Sequence, residues 1–418
     1  MKTAAHRPKV LLAASTWWPL SARLAMALRG SGCQVDAVCP PGHPLRTIGG
    51  IGRLFAYDRS DSLGALRRAI VESQAKVIVP CDDGVVWQLH ELHAQDPALR
   101  EFIEQSLGAA EMHPIIRSRE RLLETASELG IRVPKTRQVA SRAELDAWFA
   151  DAATPGVLKL DQTWGGKGVH INSSREDAVR TLKKFSARAS ASVAWKRWFI
   201  DHDPLALWTW RARREPVVTI QEYVAGQPAN TMFVCWRGEL LSLVTAKVLN
   251  AQGPTGAATV VQLIANAEIE RAARLLAKRL QLSGFCGLDF ILEQATGSAC
   301  LIELNPRCTQ LGHLQLPSQA SLAATFSAQL GAQSEANPAQ AIGSDTVAFF
   351  PQAFEWDPSS SHLRTAYHDV PWTEPRLVRD LLQVPWPNRQ WPARVYHGWR
   401  PLRRLQAVSF DEVGPVRT

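Results

Sequence analysis

The chain reads as an α/β and α+β protein: a doubly wound parallel domain, then a larger mixed domain, then a small C-terminal extension. Three observations predict this. Short apolar strands alternate with helix-spaced segments over residues 1–112, and two apolar strands separated by turn residues lie near residues 285–305. Beyond residue 333 the composition turns to Pro next to Trp, which favours extended segments lying against a surface.

In the first region, 9–14 (KVLLAA) is a short strand, 21–29 has helical spacing and 32–38 (GCQVDAV) is a second strand. Residues 76–80 followed by 85–93 continue the alternation. The turn after the first strand is Ser15-Thr16-Trp17-Trp18-Pro19, where bulky indoles stand in place of the glycines that close pyrophosphate approach requires, so a Rossmann dinucleotide role is excluded. Cys81-Asp82-Asp83-Gly84 ends a strand, and its two acids either cap the next helix or help shape a cleft.

The second region, residues 113–333, carries the chemistry. Arg119 opens an amphipathic segment that ends at Gly130. Residues 156–160 (GVLKL) form a strand with Lys159 among apolar neighbours, a costly placement unless an anion meets the charge. Gly165, Gly166 and Gly168 follow, and such residues let successive N–H groups converge on phosphate oxygens. The loop is neither a Walker A sequence nor Gly-x-Gly-x-x-Gly.

Farther on, 285–292 (FCGLDFIL) and 301–305 (LIELN) are apolar strands joined by Gln294-Ala295-Thr296-Gly297. Strand alternation puts Glu303 and Asn305 on one face, with Ile302 and Leu304 expected in a core. A hairpin brings Asp289 near Glu303. Two carboxylates and a carboxamide suit Mg²⁺, which binds through one or two carboxylates plus substrate phosphates. Arg307 follows in the next turn. His313 is a further substrate-side candidate, and a lone His of this kind is more often structural.

These motifs, in this order over roughly residues 113–330, resemble the ATP-grasp ligases, which include D-alanine–D-alanine ligase, biotin carboxylase and carbamoyl-phosphate synthetase. The resemblance implies a pre-ATP-grasp domain ahead of the ATP-grasp fold, with ATP and Mg²⁺ (or Mn²⁺) as cofactors. It implies that Arg119 and Lys159 bind phosphate, that the Gly165–Gly168 loop covers the triphosphate, and that Gln221-Glu222-Tyr223-Val224 holds adenine. In that match the Glu222 carbonyl and the Val224 N–H read the base, with the Gln221 side chain nearby. Asp289, Glu303 and Asn305 match the metal ligands, Arg307 the arginine that steadies the transferring phosphoryl group, and Lys247 a further phosphate contact. The usual acid for the ribose is missing after Gly226, leaving Gln227 or Asn230 as neutral substitutes. The 186–216 link is longer and more aromatic than in compact relatives and reads as a helical appendage of the lid.

The resemblance implies a ligase that joins a small-molecule carboxylate to an amine through an acyl phosphate. Carboxylation, phosphotransfer and a non-catalytic regulator stay open as alternatives. A chain of 418 residues, 46% apolar, has ample core for two or three domains. It shows neither an apolar run of ~18 residues nor a signal-peptide pattern, so a soluble, cytoplasmic protein is expected, with a homodimer left open. Seven scattered cysteines, mostly in apolar strands, fit reduced core thiols. The net charge of +8 comes without a nucleic-acid-binding signature, and anionic nucleotides account for it equally well. Trp and cations mix in 195–199 and 208–211, which keeps peripheral membrane contact in view.

Overall fold

The computed structural model describes residues 7–151, 155–161, 168–187, 190–200, 202–203, 210, 215–316, 320–333 and 343–397. The N-terminal domain is a four-stranded parallel sheet of β1 (Lys9–Ala13), β2 (Gln34–Cys39), β3 (Leu54–Ala56) and β4 (Val77–Pro80), ordered β3-β2-β1-β4. Strand β1 in its centre and β4 at its edge are buried almost throughout, as apolar runs covered by helices on both faces must be. The helix Leu20–Gly30 packs on one face, and Ser62–Ser73, Asp83–Gln95 and Arg100–Leu107 pack on the other. The three-residue β3 is too short to make an apolar run of its own and is held by pairing with β2 over Ala37–Cys39.

A small antiparallel sheet follows, built from β5 (Thr136–Gln138), β6 (Gly156–Leu160), β7 (Val169–Asn172) and β8 (Val218–Glu222) in the order β5-β8-β6-β7. Helices Arg142–Asp151 and Arg175–Ser186 cover its apolar face through Trp148, Leu145, Ala178 and Leu182. The central sheet is larger. It contains β9 (Gly226–Trp236), β10 (Glu239–Ala251), β11 (Ala258–Ile264), β12 (Gly284–Glu293), β13 (Ala299–Asn305), β14 (Thr346–Phe349) and β15 (Tyr367–Asp369), ordered β13-β12-β9-β10-β11-β14-β15.

Alternation along β9 explains how this sheet is buried twice. Met232 and Val234 face the N-terminal domain and the helix Leu322–Gln329, while Ala229, Phe233 and Cys235 face the helices Ala267–Arg279 and Arg119–Glu128. The segment past residue 333 is continuous with this architecture, because β14 and β15 extend the central sheet and the helix Pro375–Leu381 packs into the core shared with the N-terminal domain. A buried charge cluster fastens the same junction: Asp369 on β15 accepts from Arg23 of the first helix and lies 2.7 Å from His313. His313 is thus spent on structure, 8% exposed and oriented by Asp369.

The N-terminal domain hands over to the central sheet at Gly108, bridged to Leu282 with φ +108°. A Cβ there would lie 2.2 Å from the Gln281 carbonyl oxygen. Gly108→Ala should therefore destabilise the fold by about 1–3 kcal/mol, read as a lower urea midpoint with unchanged slope.

Candidate active site

A cleft of about 1040 Å³ lies among the strand ends of the N-terminal sheet, the small sheet and the β12–β13 hairpin. The hairpin register sets Asp289 directly opposite Glu303, and on the other side β9 sets Asn230 opposite Asp289. Between Glu303 and Leu301 the pairing skips Ile302. That bulge overturns the expected burial of Ile302, which lines the cleft beside Glu303 because the extra residue re-aims the strand.

Asp289 is enclosed. Its two oxygens accept from the amides of Asn230 at 2.5 Å and Asn305 at 3.0 Å. Burial, reinforced by the Glu303 charge, pushes its carboxyl up to about 6 despite those bonds. Glu303 sits deep between the cleft walls, yet about a third of its side-chain surface opens to the cleft (36%). Burial acts to raise its pKa, but Arg119, Lys159 and Arg307 together prevail and hold it below the usual carboxylate range.

Arg119 enters from the start of the helix Arg119–Glu128, whose N-cap is Ser118. Its guanidinium bonds Glu303 at 3.0 Å and also pairs with Asp161, just beyond β6. Its Nε is buried with no acceptor among the described residues. Lys159, on β6, is 5% exposed, and its ammonium forms no hydrogen bond or ion pair with any described residue. Burial, together with the neighbouring Arg119 charge, pulls its ammonium down to about 8 even though Glu303, Asp289 and Asp161 oppose the shift. A buried cation left in this condition is stabilised by an anion entering the cleft.

Arg307 lies at the far wall. Its Nε is 2.8 Å from Asp83, and its Nη2 donates to the Asn305 side-chain oxygen Oδ1 at 3.3 Å. The two neighbouring acids therefore divide their work. Asp82 caps the helix Asp83–Gln95 and clamps the first turn through Ser15 and Thr16, while Asp83 orients Arg307 across the domain boundary. Cys308 next to it is no nucleophile, since burial pushes its thiol up to about 12.

On the connector, Gln221 is 2% exposed and donates its amide to Thr136 at 3.1 Å, while Glu222 and Val224 line the cleft where the small sheet passes into β9. Glu222 N is already bonded to the Lys135 carbonyl. A second cavity of about 390 Å³ shares Glu222, Tyr223 and Val224 but holds neither Lys159 nor the paired acids, which meet in the larger cleft. Of the two neutral ribose candidates, Asn230 is engaged by Asp289 and Gln227 donates to the Val248 carbonyl.

Lys247 requires correction as a phosphate contact. Ala246 and Val248 pack on the face turned to the N-terminal domain, so Lys247 between them lies on the opposite face, beside Gln262 and close enough to Asp345 to lower its pKa. Gly165 and Gly166 lie outside the described residues. Gly168 is buried, its carbonyl accepting from Leu160 N at 2.7 Å beside Lys159. Sequence reasoning assigned no role to Asp161, although its place directly after the Lys159 strand was the available signal.

These ionisations predict a pH window for triphosphate binding. With the Asp289 carboxyl pushed up to about 6 and the Lys159 ammonium pulled down to about 8, both charges are present together only between those limits. Affinity for Mg·ATP, measured by calorimetry, should peak between the two and fall by up to ~10-fold per pH unit outside them. Asp289→Asn should flatten the acid limb and leave the alkaline limb in place.

A family model described as an ATP-grasp domain matches residues 121–310, from just past Arg119 to just past Arg307. No curated protein sequence matches the chain. Among solved structures, carboxyaminoimidazole ribonucleotide synthase from Aspergillus clavatus, complexed with ATP, is similar at TM-score 0.55 and 16% identity, covering 78% of each chain. L-amino acid ligase from Bacillus licheniformis is similar at TM-score 0.52 and 12% identity, covering 78% of this chain and 75% of that one. The biotin carboxylase domain of the Hydrogenobacter thermophilus 2-oxoglutarate carboxylase, in complex with MgADP, ADP and bicarbonate, is similar at TM-score 0.51 and 14% identity, covering 73% and 65%. Residues 121–310 thus match an ATP-grasp domain, and the parallel domain abutting a central antiparallel sheet, with a cleft between them, is a fold similar to that of these solved structures.

Proposed function

We propose that this protein is an ATP- and Mg²⁺-dependent ligase that joins a carboxylate to an amine through an acyl phosphate, releasing ADP and phosphate. The observation that carries this reading is the buried, unpaired Lys159 facing the Asp289–Glu303 pair across one cleft. A cation with no partner and two acids with too little compensation are complementary to a phosphate chain and the divalent ion that accompanies it. Of the three similar structures, two are named for carboxy or carboxylase chemistry and one as an amino acid ligase, and two hold adenine nucleotides.

The residues fit a metal. Asp289 and Glu303, opposite each other in the hairpin with the Asn305 amide beside them, are a donor set that suits Mg²⁺ held by one or two carboxylates and substrate phosphates. Glu303 presents its open side to the cleft, Asp289 lies directly behind it, and the Asn305 side-chain oxygen Oδ1, now accepting from Arg307, is the third donor. Mg²⁺ bound there supplies charge neutralisation for the phosphoryl group in transfer.

The protein's own work is alignment and electrostatics. Lys159 and Arg119 neutralise the phosphates. Arg119 is meanwhile held by Glu303 and Asp161, which keeps it in place when the cleft is empty. The carboxylate oxygen attacks the γ-phosphorus and the bond to ADP breaks; the amine then attacks the acyl carbon, phosphate departs and the amine's proton passes to solvent. Arg307, anchored by Asp83, faces the charge that develops at each stage.

Glu303→Gln removes one anionic ligand and one of Arg119's two partners. Mg²⁺-dependent turnover should fall by at least ~10²-fold, while ATP binding without metal should be retained or strengthened. Wild-type turnover in this variant would refute the metal assignment. The reaction class is read separately: with ¹⁸O in the carboxylate, label should enter the released phosphate, and hydroxylamine should trap a hydroxamate. Label transfer from bicarbonate instead would mark a carboxylase, and AMP as product would exclude the acyl-phosphate route.

A further inference from the structure

The indoles that exclude a dinucleotide from the first turn stand where a different ligand fits. Trp17 and Trp18 follow β1, Asp82 and Asp83 follow its parallel neighbour β4, and the helices after these two strands pack on opposite faces of the sheet. The chain ends of an open α/β sheet part at such a switch point and leave a crevice for a ligand. Here Trp17, Trp18 and Asp83 line the active-site cleft.

The helix Asp83–Gln95 continues this wall. Asp83, Val86, Trp87 and His90 recur at helical spacing along one face, and all four line the cleft. Asp83 holds Arg307 at one end, and His90 lies two turns on, on the order of 10 Å away by helical rise. Between them the Arg117 guanidinium stands 3.9 Å over the Trp87 ring and fixes the indole. His90 is 5% exposed and stacks on His113 at 3.6 Å, yet its Nδ1 is buried with no hydrogen-bond partner among the described residues. Burial, reinforced by the His113 and Arg117 charges, holds its ring well below the usual imidazole range. It is therefore neutral at pH 7, with one donor and one acceptor nitrogen.

Both acids of this wall are already engaged. Asp82 accepts from Ser15, Thr16 and Val85, and Asp83 pairs with Arg307. An ammonium entering here meets cations and spent carboxylates, whereas a carboxylate meets Arg307 and a flat apolar body meets indole. Resting on the ligase reading above, we propose that the carboxylate substrate is an aromatic acid. Its carboxylate lies at Arg307, its ring lies against Trp87, and a polar group on its far edge hydrogen-bonds His90. A single ring with a short carboxylate arm suits the span from Arg307 to His90. An α-amino acid brings an unwanted ammonium, and bicarbonate is too small to reach the indoles.

The test follows ADP release from Mg·ATP with hydroxylamine as the amine and one carboxylate at a time: 4-hydroxyphenylacetate, phenylacetate, glutamate or bicarbonate. The kcat/KM should be highest for 4-hydroxyphenylacetate, at least ~10-fold above phenylacetate, with glutamate and bicarbonate lower still. His90→Phe keeps a ring on His113 and should erase the preference for the hydroxylated acid. Trp87→Ala should raise KM for both aryl acids at least ~10-fold, and Trp87→Phe should restore most of the loss, with Mg·ATP affinity and thermal unfolding as in the parent. ADP release driven by glutamate or bicarbonate and by neither aryl acid would overturn the inference and leave the ligase reading standing. Aryl turnover indifferent to Trp87→Ala, or neither turnover nor binding with the aryl acids, would overturn it too. Quenching of tryptophan emission by the aryl acids, lost in Trp87→Ala but without ADP or hydroxamate, would support the aromatic site and refute the ligase reading.

Discussion

Two carboxylates held face to face on neighbouring strands set the terms for everything around them. Asp289 and Glu303 repel each other, and neither can be relieved by moving, because both are fixed by the register of a hairpin. The protein compensates incompletely. Asn230 and Asn305 satisfy the oxygens of Asp289, Arg119 takes one side of Glu303, and the remaining deficit shows as an Asp289 carboxyl raised to about 6. Lys159 is the mirror image, a buried ammonium lowered to about 8 with no direct partner. Each half is uncomfortable alone, and the two charges of opposite sign face one cleft.

The cleft exists only because two domains meet, and charged contacts mark the meeting. Arg307 leaves the end of the acid hairpin and finds Asp83 at the start of an N-terminal-domain helix. Nearby, Asp369 gathers Arg23 and His313, tying the first helix and the last strand of the central sheet to the segment after Arg307. Apolar packing runs through the same junction, since residues from β1, β9, β14 and the helix Leu322–Gln329 share one core. The Arg307 guanidinium is therefore positioned by both domains.

Much of this arrangement was legible in the sequence because it rests on local rules. Runs such as 9–14 and 76–80 can only be buried strands, period-two alternation places Glu303 and Asn305, and a lone lysine within GVLKL demands an anion. Those rules fail where geometry departs from the ideal period. Ile302 was expected in the core, but the bulge beside Glu303 turns it to the cleft. Lys247, expected at phosphate, is carried to the other face by the same alternation that places Asp289 correctly.

By itself, then, the sequence determined the elements, the reactive side chains of the hairpin and the strand lysine, because side-chain direction on a regular strand follows from counting. Only the tertiary structure decided which charges meet. That Arg119 is shared by Asp161 and Glu303, that Arg307 pairs with Asp83, that Asn230 serves Asp289, and that Lys196 reaches Tyr396 all join residues far apart in the chain. Such pairings follow from how sheets stack and domains abut, and burial then sets each group's charge, a property of the assembled surroundings that no stretch of sequence carries alone.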